Sequence, residues 1–225
     1  NNGFKKKTFY VPVFGQINKT FKIKKRTNKK INIIATTGNK FSLNNTLSAY
    51  FIYKYLVPEM NEKMKSNFKL VSFGDGNYRF NINQFKYLKY CYEDKGFVKN
   101  YHKEFRKNDI MLLCQNAIST KEKLVINNKK WDYHSMHARI YDAFNNGVCL
   151  IAHKENSKSM PELINGYNCL TGGSPKELAE CVKRIHLDDK LRRKLTQNAY
   201  KSLNKFFNIN KNLNKIANII DINCK

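Results

Sequence analysis

Apolar residues recur along this chain in two alternating rhythms: short continuous runs, and spacings of three and four. Ile31–Thr36 (INIIAT), Phe68–Phe73 (FKLVSF), Ile110–Cys114 (IMLLC) and Val148–Ala152 (VCLIA) are short, mainly apolar runs and read as strands, the last with β-branched residues within it. Helical spacing marks Leu43–Met64, through Leu47, Tyr50, Phe51, Tyr55 and Leu56, and predicts further helices over Ile82–Tyr90 and Tyr101–Lys107. Ala138, Ile140, Tyr141 and Phe144 share another helical face, which Gly147 stops. A polar loop, Lys154–Ser159, follows the fourth run. Pro161 then opens a short helix to Ile164, closed by Asn165-Gly166. Ser174-Pro175 caps and starts a helix whose buried face is Leu178, Val182 and Ile185, and Leu191–Phe207 and Leu213–Ile220 make a helical tail.

Strands that alternate with helices need crossovers on both faces of a parallel sheet. The pattern therefore predicts an α/β, Rossmann-like, doubly wound and mainly parallel sheet of about six strands. Its domain would span 31–207, preceded by 1–30, where Lys7–Phe14 reads as a strand entering a Pro turn and Asn18–Lys30 as a basic linker; residues 208–225 would be a C-terminal helical tail. Ligands of such sheets sit at the C-terminal ends of the strands. That draws attention to the turn at Gly38 after the first run and to the basic stretch Gln115–Tyr133 after the third, which is long for a compact domain and holds the only tryptophan, Trp131.

Composition narrows the class. With 225 residues, 41% of them hydrophobic and 13% aromatic, the chain can bury a sizeable core and is not of disordered composition. No apolar run is long enough to cross a bilayer, and no signal peptide pattern is present. The first residue is Asn1 rather than Met, which suggests a fragment. The six cysteines include no C-x-x-C pair; they read as reduced core thiols of a cytoplasmic protein, and no metal site is expected. His134 and His137 have a helical spacing, but no third ligand accompanies them. The 42 Lys and Arg against 17 Asp and Glu give a net charge of +25, which would favour nucleic acid or peripheral contact with an anionic membrane. The lysines are dispersed among asparagines, as a compositional bias alone would leave them, and no RNA-binding aromatic phrase or helix-turn-helix signal accompanies them, so nucleic acid is not expected.

The order helix, Gly147, apolar run, polar loop and then Pro161-Glu162-Leu163-Ile164 with Gly166, Asn168 and Leu170 resembles the nucleotide-sugar half of retaining GT-B glycosyltransferases of the group 1 family. In that family two acids stand eight residues apart in this region. Asp142 matches the second, and His134 occupies the place of the first. Gly74-Asp75-Gly76 is similar to the family's G-D-G turn, and Val11–Gly15 is a loose match to the phrase that ends the first domain. The resemblance covers about Val11–Phe207 and implies retaining transfer from a nucleoside-diphosphate sugar, with no cofactor and no obligatory metal. The acceptor would be held by an N-terminal domain of the same protein.

Residue by residue, the resemblance implies nucleotide or phosphate contacts at Gly38, Lys40, Phe97, Arg139 and Asp142, and donor-sugar contacts at His134, Ser135 and His137. A diphosphate asks for backbone amides and positive charge, which the helix start near Ser135–Arg139 offers; a ribose asks for an acceptor such as the Asp142 carboxylate. Plainer roles stand beside these. Gly38 suits an ordinary turn, Phe97 the core at a strand-to-helix junction, and Asp142 a solvated helix surface. Two other functions compete: a degenerate nucleotide-binding module without catalysis, consistent with His134 in the acid's place, and a basic nucleic-acid-binding protein.

Overall fold

A computed structural model describes residues 17, 21–26, 29–118, 125–126, 129–130, 138–158 and 160–223. Lys7–Phe14, Trp131, His134, Ser135 and His137 lie outside the described residues. The sheet strands are β1 (Ile31–Thr36), β2 (Phe68–Ser72), β3 (Tyr92–Asp94) and β4 (Ile110–Leu113). After a two-residue antiparallel pair, β5 (Val125–Ile126) with β6 (Lys129–Lys130), come β7 (Cys149–His153) and β8 (Cys169–Gly172). The six-stranded sheet runs β3-β2-β1-β4-β7-β8 with every neighbour parallel, which is the doubly wound order with its reversal between β1 and β4.

Two apolar layers enclose the sheet. Alternate side chains of the strands, such as Ile33, Leu70, Leu112 and Ile151, pack with Ile52, Leu56, Met60, Val182 and Ile185 on one face. Ile34, Val71, Met111 and Leu150 pack with Phe105, Ile140, Phe144, Ala199 and Leu203 on the other. The first face is covered by α1 (Leu43–Phe51), α2 (Val57–Met64) and α6 (Pro175–Leu187); the second by α3 (Tyr101–Phe105), α4 (Ala138–Asn146) and α7 (Asp189–Phe206). A single-turn α5 (Lys154–Ser157) and a tail α8 (Ile209–Asn223) complete the helices. Between α1 and α2 the chain makes a π turn, Ile52–Leu56, in which Val57 N–H donates to Ile52 O. Pro58 explains the widening, because its ring clashes with the carbonyl four residues back and it has no N–H to give.

Three predicted elements take other forms. Ile82–Tyr90 is not an α-helix but two 3₁₀ turns, Ile82–Gln84 and Lys86–Tyr90. Its apolar residues Ile82, Phe85 and Leu88 are spaced by three, which fits the three-residue period of a 3₁₀ turn better than 3.6. Pro161–Ile164 forms turns rather than a helix. The Asn168 side chain holds them by accepting from Ile164 N–H at 2.9 Å and donating to Glu162 O at 2.8 Å, so local backbone groups are satisfied without a helix. The loop expected at Lys154–Ser159 instead begins with α5, capped by His153, whose Nδ1 accepts from Glu155 N–H at 3.2 Å.

The described part of the basic linker runs beside the N-terminal ends of the strands. Arg192, fully buried, donates to Lys24 O at 2.7 Å and Arg26 to Ile185 O at 3.5 Å, while Phe21 stacks on Tyr200 with ring centroids 3.9 Å apart. The opposite ends of the strands are left to the site.

Candidate functional site

At the C-terminal ends of β1, β2 and β3 three turns nest against one another. Gly38 has φ +82° and Gly74 φ +114°, both in the region that glycine alone adopts cheaply. A Cβ on Gly74 would lie 2.0 Å from Gly38 O, so the two loops touch backbone to backbone. Phe73 N–H donates to Thr36 O at 3.1 Å, Gly74 N–H to Gly96 O at 2.8 Å, and Lys40 N–H to Asp75 O at 3.0 Å. These bonds tie the turns after β1, β2 and β3 into one platform.

Lys40 belongs to that platform rather than to the open surface. Its ammonium is buried, donates to Gly74 O at 2.8 Å, and lies 2.6 and 2.8 Å from the two Asp94 carboxylate oxygens. It is absent from the cavity described next, and its charge is already matched. That departs from the phosphate contact the sequence suggested, since a cation held by a carboxylate and a carbonyl has little attraction left for an anion.

A cavity of about 730 Å³ opens where the sheet order reverses. Gly38, Phe97, Arg139 and Asp142 line it together, joined by Phe73, the Gly74–Gly76 turn, Val98 and Tyr101. The topology gathers them: β1 leads to α1 on one face, β4 leads towards α4 on the other, and a crevice remains between. Phe97 is 76% exposed, so its ring stands on the rim and not in the core.

Arg139, in the first turn of α4, reaches back over the β1 turn. Its Nη2 donates to Thr37 O at 2.7 Å and to Asn45 Oδ1. Asn45 in turn donates to Thr37 O at 3.0 Å and Asn39 O at 2.7 Å, and Gln115 Nε2 donates to Asn45 Oδ1 at 3.3 Å. Burial pushes the Arg139 guanidinium down to about 10, which leaves it charged at neutral pH. It is therefore a positive wall set into the cavity, anchored by the Thr37 carbonyl and the Asn45 amide.

Asp142 lies one helical turn further on. Tyr101 Oη donates to its Oδ2 at 3.4 Å, and burial raises its carboxyl above the ordinary aspartate value, against the lowering influence of His102, of the Tyr101 hydrogen bond and of Arg139. Tyr101 is fixed edge-on against Phe73 at 6.2 Å, and burial, with the Asp142 charge beside it, keeps its hydroxyl protonated. Sequence reading passed over Tyr101, because with Phe105 it makes an ordinary i, i+4 core pair. Only the fold places its hydroxyl beside a carboxylate. A wall with a carboxylate, a guanidinium, an exposed ring and glycine turns suits a ligand having hydroxyls, negative charge and a flat ring. Among the described residues no group of three His, Cys, Asp or Glu side chains could hold a metal ion.

A family model described as glycosyl transferase-like matches residues 56–218. None of the curated proteins matches the chain. Among solved structures, TarM of S. aureus, in a complex with fondaparinux, alpha-GlcNAc-glycerol and UDP, is 12% identical with a TM-score of 0.67, over 93% of this chain and 38% of that one. HepE of Anabaena, in complex with UDP, is 14% identical with a TM-score of 0.64, over 86% of this chain and 49% of that one. The C-terminal domain of LpcC, a group 1 glycosyl transferase from Francisella tularensis, is 16% identical with a TM-score of 0.55, over 81% and 88% of the two chains. This chain thus spans less than half the length of TarM and HepE and most of the isolated LpcC domain.

Proposed function

This chain belongs to the glycosyl transferase-like family, and from that premise we propose that it is the donor-binding domain of a group 1 GT-B glycosyltransferase, holding a nucleoside-diphosphate sugar in the cavity at the β1–β4 reversal. The observation that carries the reading is the meeting of Gly38, Phe97, Arg139 and Asp142 at one cavity. The ribose hydroxyls donate to Asp142, steadied by Tyr101. Phe97 lies beside the base, and Arg139 with the α4 start faces the diphosphate. The UDP named in the TarM and HepE complexes supports this choice of ligand class. Transfer proceeds with retained configuration and without a cofactor, to an acceptor held by a further domain; the greater length of TarM and HepE supports that division. His134, Ser135 and His137, outside the described residues, are assigned to the donor sugar by the family resemblance alone. The five described cysteines, all free and buried, support a reducing, cytoplasmic setting, with peripheral contact to an anionic membrane served by the net charge.

The test is calorimetry with UDP. Asp142→Asn keeps the volume but removes the charge and half the acceptor capacity, so hydrogen bonds worth about 1.5–3 kcal/mol weaken and affinity falls about tenfold or more. Equal affinity in the variant returns Asp142 to the helix surface. A second reading, a nucleotide-binding module without transfer, is favoured by Lys40 being held by Asp94. Under it UDP and a UDP-sugar bind alike, whereas a donor domain distinguishes them.

A further inference from the structure

The segment between β2 and β3 carries a second cavity, of about 650 Å³, at the edge of the sheet. The doubly wound pattern asks for a covering helix there; the two 3₁₀ turns leave the edge open instead. Phe85 and Leu88 are buried and form an apolar floor. Around it Asn83, Lys86, Lys89 and Tyr90 present side-chain groups with no hydrogen-bond or ion-pair partner among the described residues. Tyr90 is 77% exposed, and among the described residues no acid lines the cavity. The neighbouring Tyr87 is pinned by donating its hydroxyl to Tyr53 O, so the walls are built rather than loose.

An exposed aromatic ring beside an apolar floor covers the C–H face of a pyranose, and an unpaired amide with two uncompensated ammonium groups meets hydroxyls and carboxylates at its margin. We propose that this cavity is a second binding site, for an anionic saccharide. Only the preference for a saccharide over a nucleic acid rests on the glycosyl-transfer reading; the cavity and its free cations do not. Tyr92 lines this cavity and Phe97 lines the one at the β1–β4 reversal, and the chain between them reaches at most ~18 Å when extended. A bound oligosaccharide is thereby tethered next to the donor cavity, so that a growing polymer is held between transfers.

The full 225-residue chain is titrated with a galacturonic acid pentamer, with neutral maltopentaose and with a ten-nucleotide oligothymidylate. The galacturonate pentamer is expected to bind most tightly. The double variant Lys86→Ala with Lys89→Ala should weaken it about tenfold or more, and Tyr90→Ala should weaken both sugars, with UDP affinity and Tm unchanged in all variants. All three side chains are exposed, so folding is not at stake. No binding of the galacturonate, equal affinity in the variants, or maltopentaose binding as tightly as galacturonate overturns the proposal. So does oligothymidylate binding as tightly or more tightly, which assigns the cavity to nucleic acid. A failure of UDP binding alone leaves this site standing and removes only the nucleotide reading.

Discussion

At the scale of single residues, the charges of the site decide its behaviour. Burial raises the Asp142 carboxyl, so the folded state binds its proton more tightly than the unfolded chain does. Above both pKa values its charge costs stability, and that cost is relieved as pH falls through the folded value. Asp142→Asn should therefore leave the ligand-free Tm at neutral pH unchanged or raised. On the proposed ribose assignment nucleotide binding runs the other way, since only the ionised form would accept from both hydroxyls: UDP affinity should fall as pH drops through this raised pKa, and a calorimetric pH series should show that limb vanish in Asp142→Asn. Lys40 makes the opposite case. Lys40→Met removes a buried cation from Asp94, which is 44% exposed and can be rehydrated, so the loss should be about 1–2 kcal/mol by urea melts with UDP affinity retained. A tenfold loss of affinity at unchanged stability would put the ammonium back on the phosphates.

At the scale of elements, turns matter more than strands. Replacing Gly74 by Ala forces a side chain onto φ +114° and drives a Cβ against Gly38 O, so the platform must come apart; we expect about 2–4 kcal/mol of destabilisation in urea and loss of UDP binding together. The β1, β2, β4 and β7 strands were legible because they are mainly apolar runs, buried on both faces except at Asn32 and Lys69, as a parallel sheet favours. β3 and β8 were not, because Tyr92–Asp94 and Cys169–Gly172 are short edge strands with polar residues or glycine among them. Four of the five nucleotide candidates share a cavity. Lys40 does not, because its partner Asp94 lies on a strand that periodicity could not reveal. Nor could periodicity distinguish Tyr101 in the cavity from a core tyrosine.

At the scale of the whole molecule, the proposed reading assigns the donor to this cavity and the acceptor to a further domain. The isolated chain should bind UDP but consume no UDP-sugar in the presence of acceptor, since transfer needs the acceptor oriented against the donor from outside. Measurable turnover by the purified chain would show that it builds the reaction site alone. The buried cysteines add something of a different kind. Cys149 and Cys169 lie on adjacent central and edge strands with their thiols pushed up to about 12, and Cys91, beside the second cavity, to about 11. None offers thiolate to an alkylating reagent while the sheet is closed. With Cys224 replaced by serine, the chain becomes its own clock: the rate at which Cys91 is modified times the loosening of the β3 edge, and the rate at Cys149 times the opening of the sheet itself.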